Sequence, residues 1–89
     1  MTTYSLRPQY ENVKSYYNKA QVLHIDGENI LLYSYTTLVC SVNKKLRIFY
    51  LYDKYDHSQT TLRHVKEFLQ QHGFKKMTKK ELEEAYKNE

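Results

Sequence analysis

The chain has 89 residues, 40% of them hydrophobic, and its 14 Lys and Arg against 10 Asp and Glu give a net charge of +4. A chain of this length forms one domain with a small core, so its stability should be modest without a partner. The single cysteine, Cys40, excludes an intrachain disulfide and a cysteine-based zinc site. Since the sequence contains no apolar run long enough for a bilayer and no signal-peptide pattern, we expect a cytoplasmic protein without membrane contact.

The positive charge is concentrated in the second half of the chain. Residues 1–42 hold three basic side chains (Arg7, Lys14, Lys19) and three acidic ones (Glu11, Asp26, Glu28), so the whole excess lies in residues 43–89. This balance favours anionic partners. Ten tyrosines and no tryptophan are present, and most of these rings are expected to complete the core.

Residues 1–14 lack sustained periodicity and contain the only proline, Pro8. They are predicted to form an N-terminal arm that docks through Tyr4, Tyr10 or Val13, or frays. Residues 15–89 are predicted to form a single α+β domain.

Strand patterns occupy residues 19–52, separated by turn signals at Asp26-Gly27, Tyr35-Thr36 and Asn43-Lys44. In the last of these strands, alternation separates two faces. The set predicted to face the core is Leu46, Ile48, Tyr50 and Tyr52, and the mixed set predicted to be half covered or offered to a partner is Lys45, Arg47, Phe49 and Leu51.

A main helix is predicted over residues 58–72, because apolar residues recur there at three- and four-residue spacing (Leu62, Val65, Phe68, Leu69). Ser58 is a candidate N-cap, Asp56 with Gln59 is a competing capping box, and Gly73 suits the position past the last turn.

A short C-terminal helix is predicted over residues 78–87, where Thr78 and Glu81 form a capping-box pair. With about three turns it should dock weakly or move. The expected fold is therefore a small antiparallel sheet of three to four strands packed against one main helix, plus this short helix.

Catalysis is not expected. The four histidines, at positions 24, 57, 64 and 72, lack metal-ligand spacing, and Cys40 has no neighbouring base in the sequence. Two glycines cannot build a phosphate-cradling loop. The sequence thus predicts a protein without catalytic residues, metal or cofactor.

The candidate binding residues are mostly basic. Cations cluster at the start of the fourth predicted strand, on one flank of the main helix, and in a run near the C-terminus. With two neighbouring residues, Phe49 and His64, the candidate binding residues are Lys44, Lys45, Arg47, Phe49, Arg63, His64, Lys66, Lys75, Lys76, Lys79 and Lys80. The lysine run has two interpretations: a surface that contacts the phosphates of a nucleic acid, and an ordinary solvated surface. Arg63 and His64 are expected to point away from Leu62, either as a partner surface or with Arg63 bonded to Glu67.

Two segments resemble a group of short phage and prophage proteins. Residues 34–39 (SYTTLV) match their "SYNT" strand junction, and residues 58–68 match their "S-x-T-T-x-[RK]-H-[IV]-x-x-F" helix start. Residues 15–20 (SYYNKA) are similar to their opening strand. Thr36 replaces the usual Asn, the loop over residues 53–57 is longer, and a tryptophan usual near that loop is missing. The resemblance implies no biochemistry but a phage gene context, in which small proteins often inhibit host machinery.

The leading hypothesis is a non-enzymatic phage-type binding protein that inhibits or redirects a bacterial nucleic-acid-processing complex, with an RNA-guided CRISPR effector nuclease as the first candidate. Its partner would be a host protein or ribonucleoprotein. The first alternative is direct binding of RNA or DNA through the cations and tyrosines. The second is a structural or assembly protein that forms a homodimer through Phe49 and Leu51.

Overall fold

The computed structural model describes residues 2–16 and 18–87. These residues form a five-stranded antiparallel sheet followed by two helices, so the predicted α+β class is confirmed. The strands are β1 (Thr2–Ser5), β2 (Ala20–His24), β3 (Asn29–Ser34), β4 (Thr37–Asn43) and β5 (Ile48–Leu51), and the helices are α1 (Gln59–Gln71) and α2 (Lys79–Lys87).

The strands follow one another as a meander in the order β1-β2-β3-β4-β5. The loop between β2 and β3 is held by Asp26, whose carboxylate accepts from the backbone N–H groups of Glu28 and Asn29. The β3–β4 hairpin turns on Tyr35 and Thr36, with Tyr35 at a φ of 59°. These turn positions agree with the prediction from the sequence.

The described sheet has five strands rather than the expected three or four, and the additional strand lies in the segment predicted to be an arm. Thr2–Ser5 pairs with β2 in the register Thr2↔His24 to Ser5↔Gln21. Leu6, directly after it, is 3% exposed. A four-residue segment carries too little periodicity to be recognised alone, and it forms a strand because β2 offers unpaired backbone groups at its outer edge.

The prediction for the last strand was wrong in its start and in its faces. Residues 44–47 form a turn, with Arg47 at a φ of 55°, and the strand begins at Ile48. Phe49 pairs with Val42 and Leu51 with Cys40, so these side chains share the buried face. The predicted core face is exposed instead: Leu46 63%, Ile48 38%, Tyr50 48% and Tyr52 37%. Because β5 carries apolar residues on both faces, its pairing with the neighbouring strand determines which face is buried.

Helix α1 agrees with its prediction. Ser58 caps it by accepting from the Thr61 N–H, and Gly73 lies past its end at a φ of 90°. The predicted apolar stripe (Leu62, Val65, Phe68, Leu69) is at most 3% exposed and packs onto the sheet.

Helix α2 begins with the predicted capping box, in which the Thr78 N–H donates to Glu81 and the Glu81 N–H donates to Thr78. Leu82 is 0% exposed and belongs to the core, with Ala85 and Tyr86 packed against it. The helix is thus docked beside β5. Among the described residues, no helix has the length and apolar character to span a membrane.

Candidate interaction surfaces

The two faces of the sheet are covered differently. On one face, Val22, Leu32 and Cys40 share a register row beneath the helices, and these three are 0% exposed. Alternation places the intervening side chains on the opposite side. We call this side the open face; its residues are Thr3, Ser5, Gln21, Leu23, Asn29, Leu31, Tyr33, Leu38, Ser41, Asn43, Ile48 and Tyr50. None of these described residues is buried.

The open face has an apolar centre and polar corners. Its centre consists of large side chains (Leu23, Leu31, Tyr33, Leu38, Tyr50). At one corner Gln21 donates to Ser5, and at another the Asn43 amide donates to Asn29. Its residues on the described strands include no charged side chain. Partly exposed apolar side chains beside hydrogen-bonding groups are common in protein–protein interfaces.

The open face continues into a groove at the β5 edge. This groove has a volume of about 730 Å³ and is lined mainly by aromatic and charged residues (Leu38, Tyr50, Leu51, Tyr52, Asp53, Lys54, Tyr86, Lys87). The Tyr86 hydroxyl donates to Asp53, which joins α2 to the loop after β5. Tyr50 and Tyr52 therefore present ring surface next to a concave site.

The basic residues of the β4–β5 turn are brought against the end of α1. A pocket of about 580 Å³ lies between them, and we call it the turn pocket; its residues are Val42, Asn43, Lys44, Arg47, Gln71, His72, Gly73 and Phe74. Lys45 points elsewhere, with Nζ 4.0 Å from the Glu28 carboxylate. The structure thus joins Lys44 and Arg47 to His72, a residue absent from the predicted binding set.

The lysine run does not form one continuous track. Lys75 is ion-paired with Glu81 at 2.7 Å. Lys76 lies with Arg63 and Lys66 in a small pocket on the α1 flank that also contains Glu11 and Glu67. The remaining two lysines of the run, Lys79 and Lys80, are exposed in the first turn of α2. Carboxylates accompany much of this charge, which favours the solvated-surface interpretation.

Arg63 is paired with Glu11, and the expected bond from Arg63 to Glu67 is not formed. Glu67 is 1% exposed and accepts from the backbone N–H groups of Tyr10 and Glu11. The Glu67 carboxylate accepts from these two N–H groups because backbone donors that are shielded from water need a hydrogen-bond partner. Burial alone would raise the pKa of Glu11, but hydrogen bonds from Tyr16 and Arg63 outweigh it and lower that pKa.

His64 is not on the surface, contrary to the prediction that it faces a partner. It is 0% exposed, and a hydrogen bond of 3.0 Å joins its Nδ1 to the Ser34 hydroxyl. The Tyr16 ring packs edge-on against it at 4.6 Å. The N-terminal segment covers this flank of α1, which the helical pattern alone cannot reveal. Burial lowers the pKa of His64 to about 4, so the ring is neutral at pH 7.

The segments that carry the phage-protein resemblance meet inside the fold. Ser34, from the SYTT hairpin, is hydrogen-bonded both to His64 and to the Thr61 hydroxyl at 3.1 Å. Ser58 in turn donates to Thr61. His64 Nε2 is buried without a hydrogen-bond partner in the described part of the chain. These polar residues therefore fix α1 to the β3–β4 hairpin, which is a structural role.

Phe49 is half-buried, and its ring packs edge-on against Phe74 at 5.0 Å. Leu51 is 3% exposed. The predicted dimer contact through these residues is therefore not available, because α1 and the segment after it cover that face. In the described part of the chain, no three His, Cys, Asp or Glu side chains lie close enough together to hold a metal ion.

No curated protein and no solved structure matches the chain. Residues 4–84 match a sequence family described as "Family of unknown function (DUF8033)". This match covers α1, the first six residues of α2 and the whole sheet apart from the first two residues of β1. The chain belongs to this family of unknown function.

Proposed function

We propose that the protein is a non-enzymatic binding protein that inhibits or redirects a bacterial nucleic-acid-processing complex by docking its open face on a protein component of that complex. The observation that carries this proposal is the uncovered, uncharged sheet face with an apolar centre and hydrogen-bonding corners. The resemblance to phage proteins supports the choice of partner. An RNA-guided effector nuclease is the complex to test first.

The chemistry of the open face favours a protein partner over a phosphate backbone. Phosphate contacts need surface cations, and the described open-face residues carry none. Tyr50 is 48% exposed, and tyrosine is a common anchor residue at interfaces. The net charge of +4 opposes a mechanism in which the protein imitates DNA, because a DNA mimic must be acidic.

The test uses purified effector nuclease, guide RNA and target DNA, with cleavage and complex formation on size exclusion as readouts. Wild-type protein should bind the effector and reduce cleavage. Tyr50→Ser should weaken inhibition by at least about tenfold, since truncating an interface anchor typically costs more than 1 kcal/mol. The matched control is Tyr10→Ser, which removes a ring that is 60% exposed outside the sheet, and it should change inhibition by less than about twofold.

Two results would contradict the proposal. One is absence of both binding and inhibition across representative effector nucleases. The other is light scattering that shows a stable dimer of the wild type and a monomer for Tyr50→Ser, because the open face would then be occupied by a second copy of this chain.

A further inference from the structure

The turn pocket is lined by two cations and, among the described residues, by no acidic one. Lys44 and Arg47 line it from the β4–β5 turn, and no acidic residue is among its lining residues. In the described part of the chain, neither side chain makes an ion pair, whereas Lys45, Arg63 and Lys75 each lie beside a carboxylate. The pocket is therefore one place where cations of the second half lie together without a paired carboxylate.

The turn that carries these cations is held by several hydrogen bonds. The Asn43 side chain accepts from the Leu46 N–H at 2.8 Å and donates to Asn29 at 3.1 Å. The Lys44 N–H donates to the Glu28 carbonyl at 2.8 Å. Arg47 follows in the left-handed region, at a φ of 55°. Because the backbone is restrained on both sides of Lys44, the points from which the two basic side chains extend are fixed by the fold.

The opposite wall of the pocket is polar and open. His72, at the end of α1, is half-buried, and no hydrogen bond of its imidazole to another described residue is formed. Next to it, a Cβ built on Gly73 would meet no heavy atom within 4 Å, so there is free space above the backbone. Phe74 supplies an apolar floor. The pocket lining thus brings Lys44 and Arg47 opposite His72.

We propose that the turn pocket binds a phosphate group of a single-stranded nucleic acid. Two cations that line one opening attract a polyanion through more than one of its charges, and a guanidinium fork matches the oxygens of a phosphate as it does those of a carboxylate. Lys44 and Arg47 are exposed at the surface, so one phosphate of a longer strand can enter while its neighbours pass outside. The proposal is independent of the open-face partner, and it assigns the contact to this pocket rather than to the lysine run.

The experiment measures fluorescence anisotropy of labelled single-stranded RNA and DNA of about 12 nucleotides, at several salt concentrations. Wild-type protein should bind at low salt. Lys44→Ala with Arg47→Ala should reduce affinity by about tenfold or more and lower the salt slope by about 1 to 2, since roughly one unit is lost for each phosphate contact. The matched control, Lys79→Ala with Lys80→Ala, removes the same charge from α2 and should reduce affinity by less than about threefold.

A second variant, His72→Gln, keeps a hydrogen-bonding side chain and tests the opposite wall; a two- to fivefold loss with an unchanged salt slope is expected. Circular dichroism verifies that each variant is folded, and His72→Gln serves as the test if the turn variant is not.

Equal losses for the turn and α2 variants, or no binding at low salt, would overturn the proposal. So would inorganic phosphate or an acidic peptide binding as tightly as the oligonucleotide. Tyr50→Ser should leave oligonucleotide affinity unchanged, which separates this proposal from the open-face one.

Discussion

The side chains of the helix-covered face and those of the open face alternate along the same strands, yet they are under different constraints. Val22 and Leu32 are 0% exposed beneath α1, whereas their neighbours Leu23 and Leu31 remain partly exposed on the other side. Both sets are apolar, so hydrophobicity by itself does not identify the core. The covered face contains the fully buried apolar side chains, whereas the open face leaves apolar side chains partly exposed to solvent.

The largest expected difference between the faces concerns the core aromatic Phe68, which is 0% exposed. Phe68→Ala should destabilise the protein by about 3–5 kcal/mol, because it removes buried surface and leaves a cavity. Leu31→Ala on the open face should cost below about 1 kcal/mol. Urea unfolding followed by circular dichroism measures both, and similar values would mean that the open face is also part of the core.

The next effect is the pH dependence contributed by His64. Its pKa is about 4 in the folded protein against 6.5 in the unfolded chain, so the unfolded state binds the proton first on acidification. This contribution to stability is therefore present above pH 6.5 and is lost as the pH falls towards 4, by about 3 kcal/mol.

Urea unfolding at pH 7 and pH 4 tests this sign. His64→Gln should lose less stability between the two values than the wild type does, because the titrating ring is absent. The lowered pKa of Glu11 acts in the same direction, and because Glu11 and His64 interact electrostatically, the comparison measures the titration of both groups. An equal loss in the two proteins would show that the pKa of His64 is not lowered in the folded state.

A smaller effect is expected for the hydrogen bond that joins the hairpin to α1. Ser34→Ala should cost about 1–2 kcal/mol, because it leaves Nδ1 of His64 buried without a partner and leaves the Thr61 hydroxyl bonded only to Ser58. Ser41→Ala on the open face removes a 3.3 Å bond to the exposed Tyr52 hydroxyl and should cost below about 0.5 kcal/mol. Thermal unfolding of the two variants measures both effects. A larger loss of stability for Ser41→Ala than for Ser34→Ala would contradict the prediction.

The smallest effect is expected at the Arg63–Glu11 ion pair, where the Arg63 side chain is 48% exposed. Arg63→Ala should cost below about 1 kcal/mol, and the difference from the wild type should shrink in 1 M NaCl because salt screens surface pairs. A salt-independent loss would instead indicate that the aliphatic part of Arg63 packs against the N-terminal segment.

Patterns among near neighbours in the sequence were enough to predict the helices and most of the sheet. The stripe of α1, its Ser58 cap and the Thr78–Glu81 capping box each lie within a few residues of one another, so their geometry follows from helical periodicity. The turns at Asp26-Gly27 and Tyr35-Thr36 are likewise local. Of the candidate site, the sequence indicated the cations of the β4–β5 turn but not their neighbour His72, which is distant in the chain.

The sequence by itself determined the α+β class, the helix limits and the uneven distribution of charge, because these depend on near neighbours in the chain. Only the tertiary structure decided that β1 joins the sheet, that Phe49 and Leu51 face inward while Tyr50 faces outward, and that His64 is buried. Each of these depends on which distant segment covers a given side chain. A period-two strand with apolar residues on both faces is compatible with either orientation until its neighbour is in place.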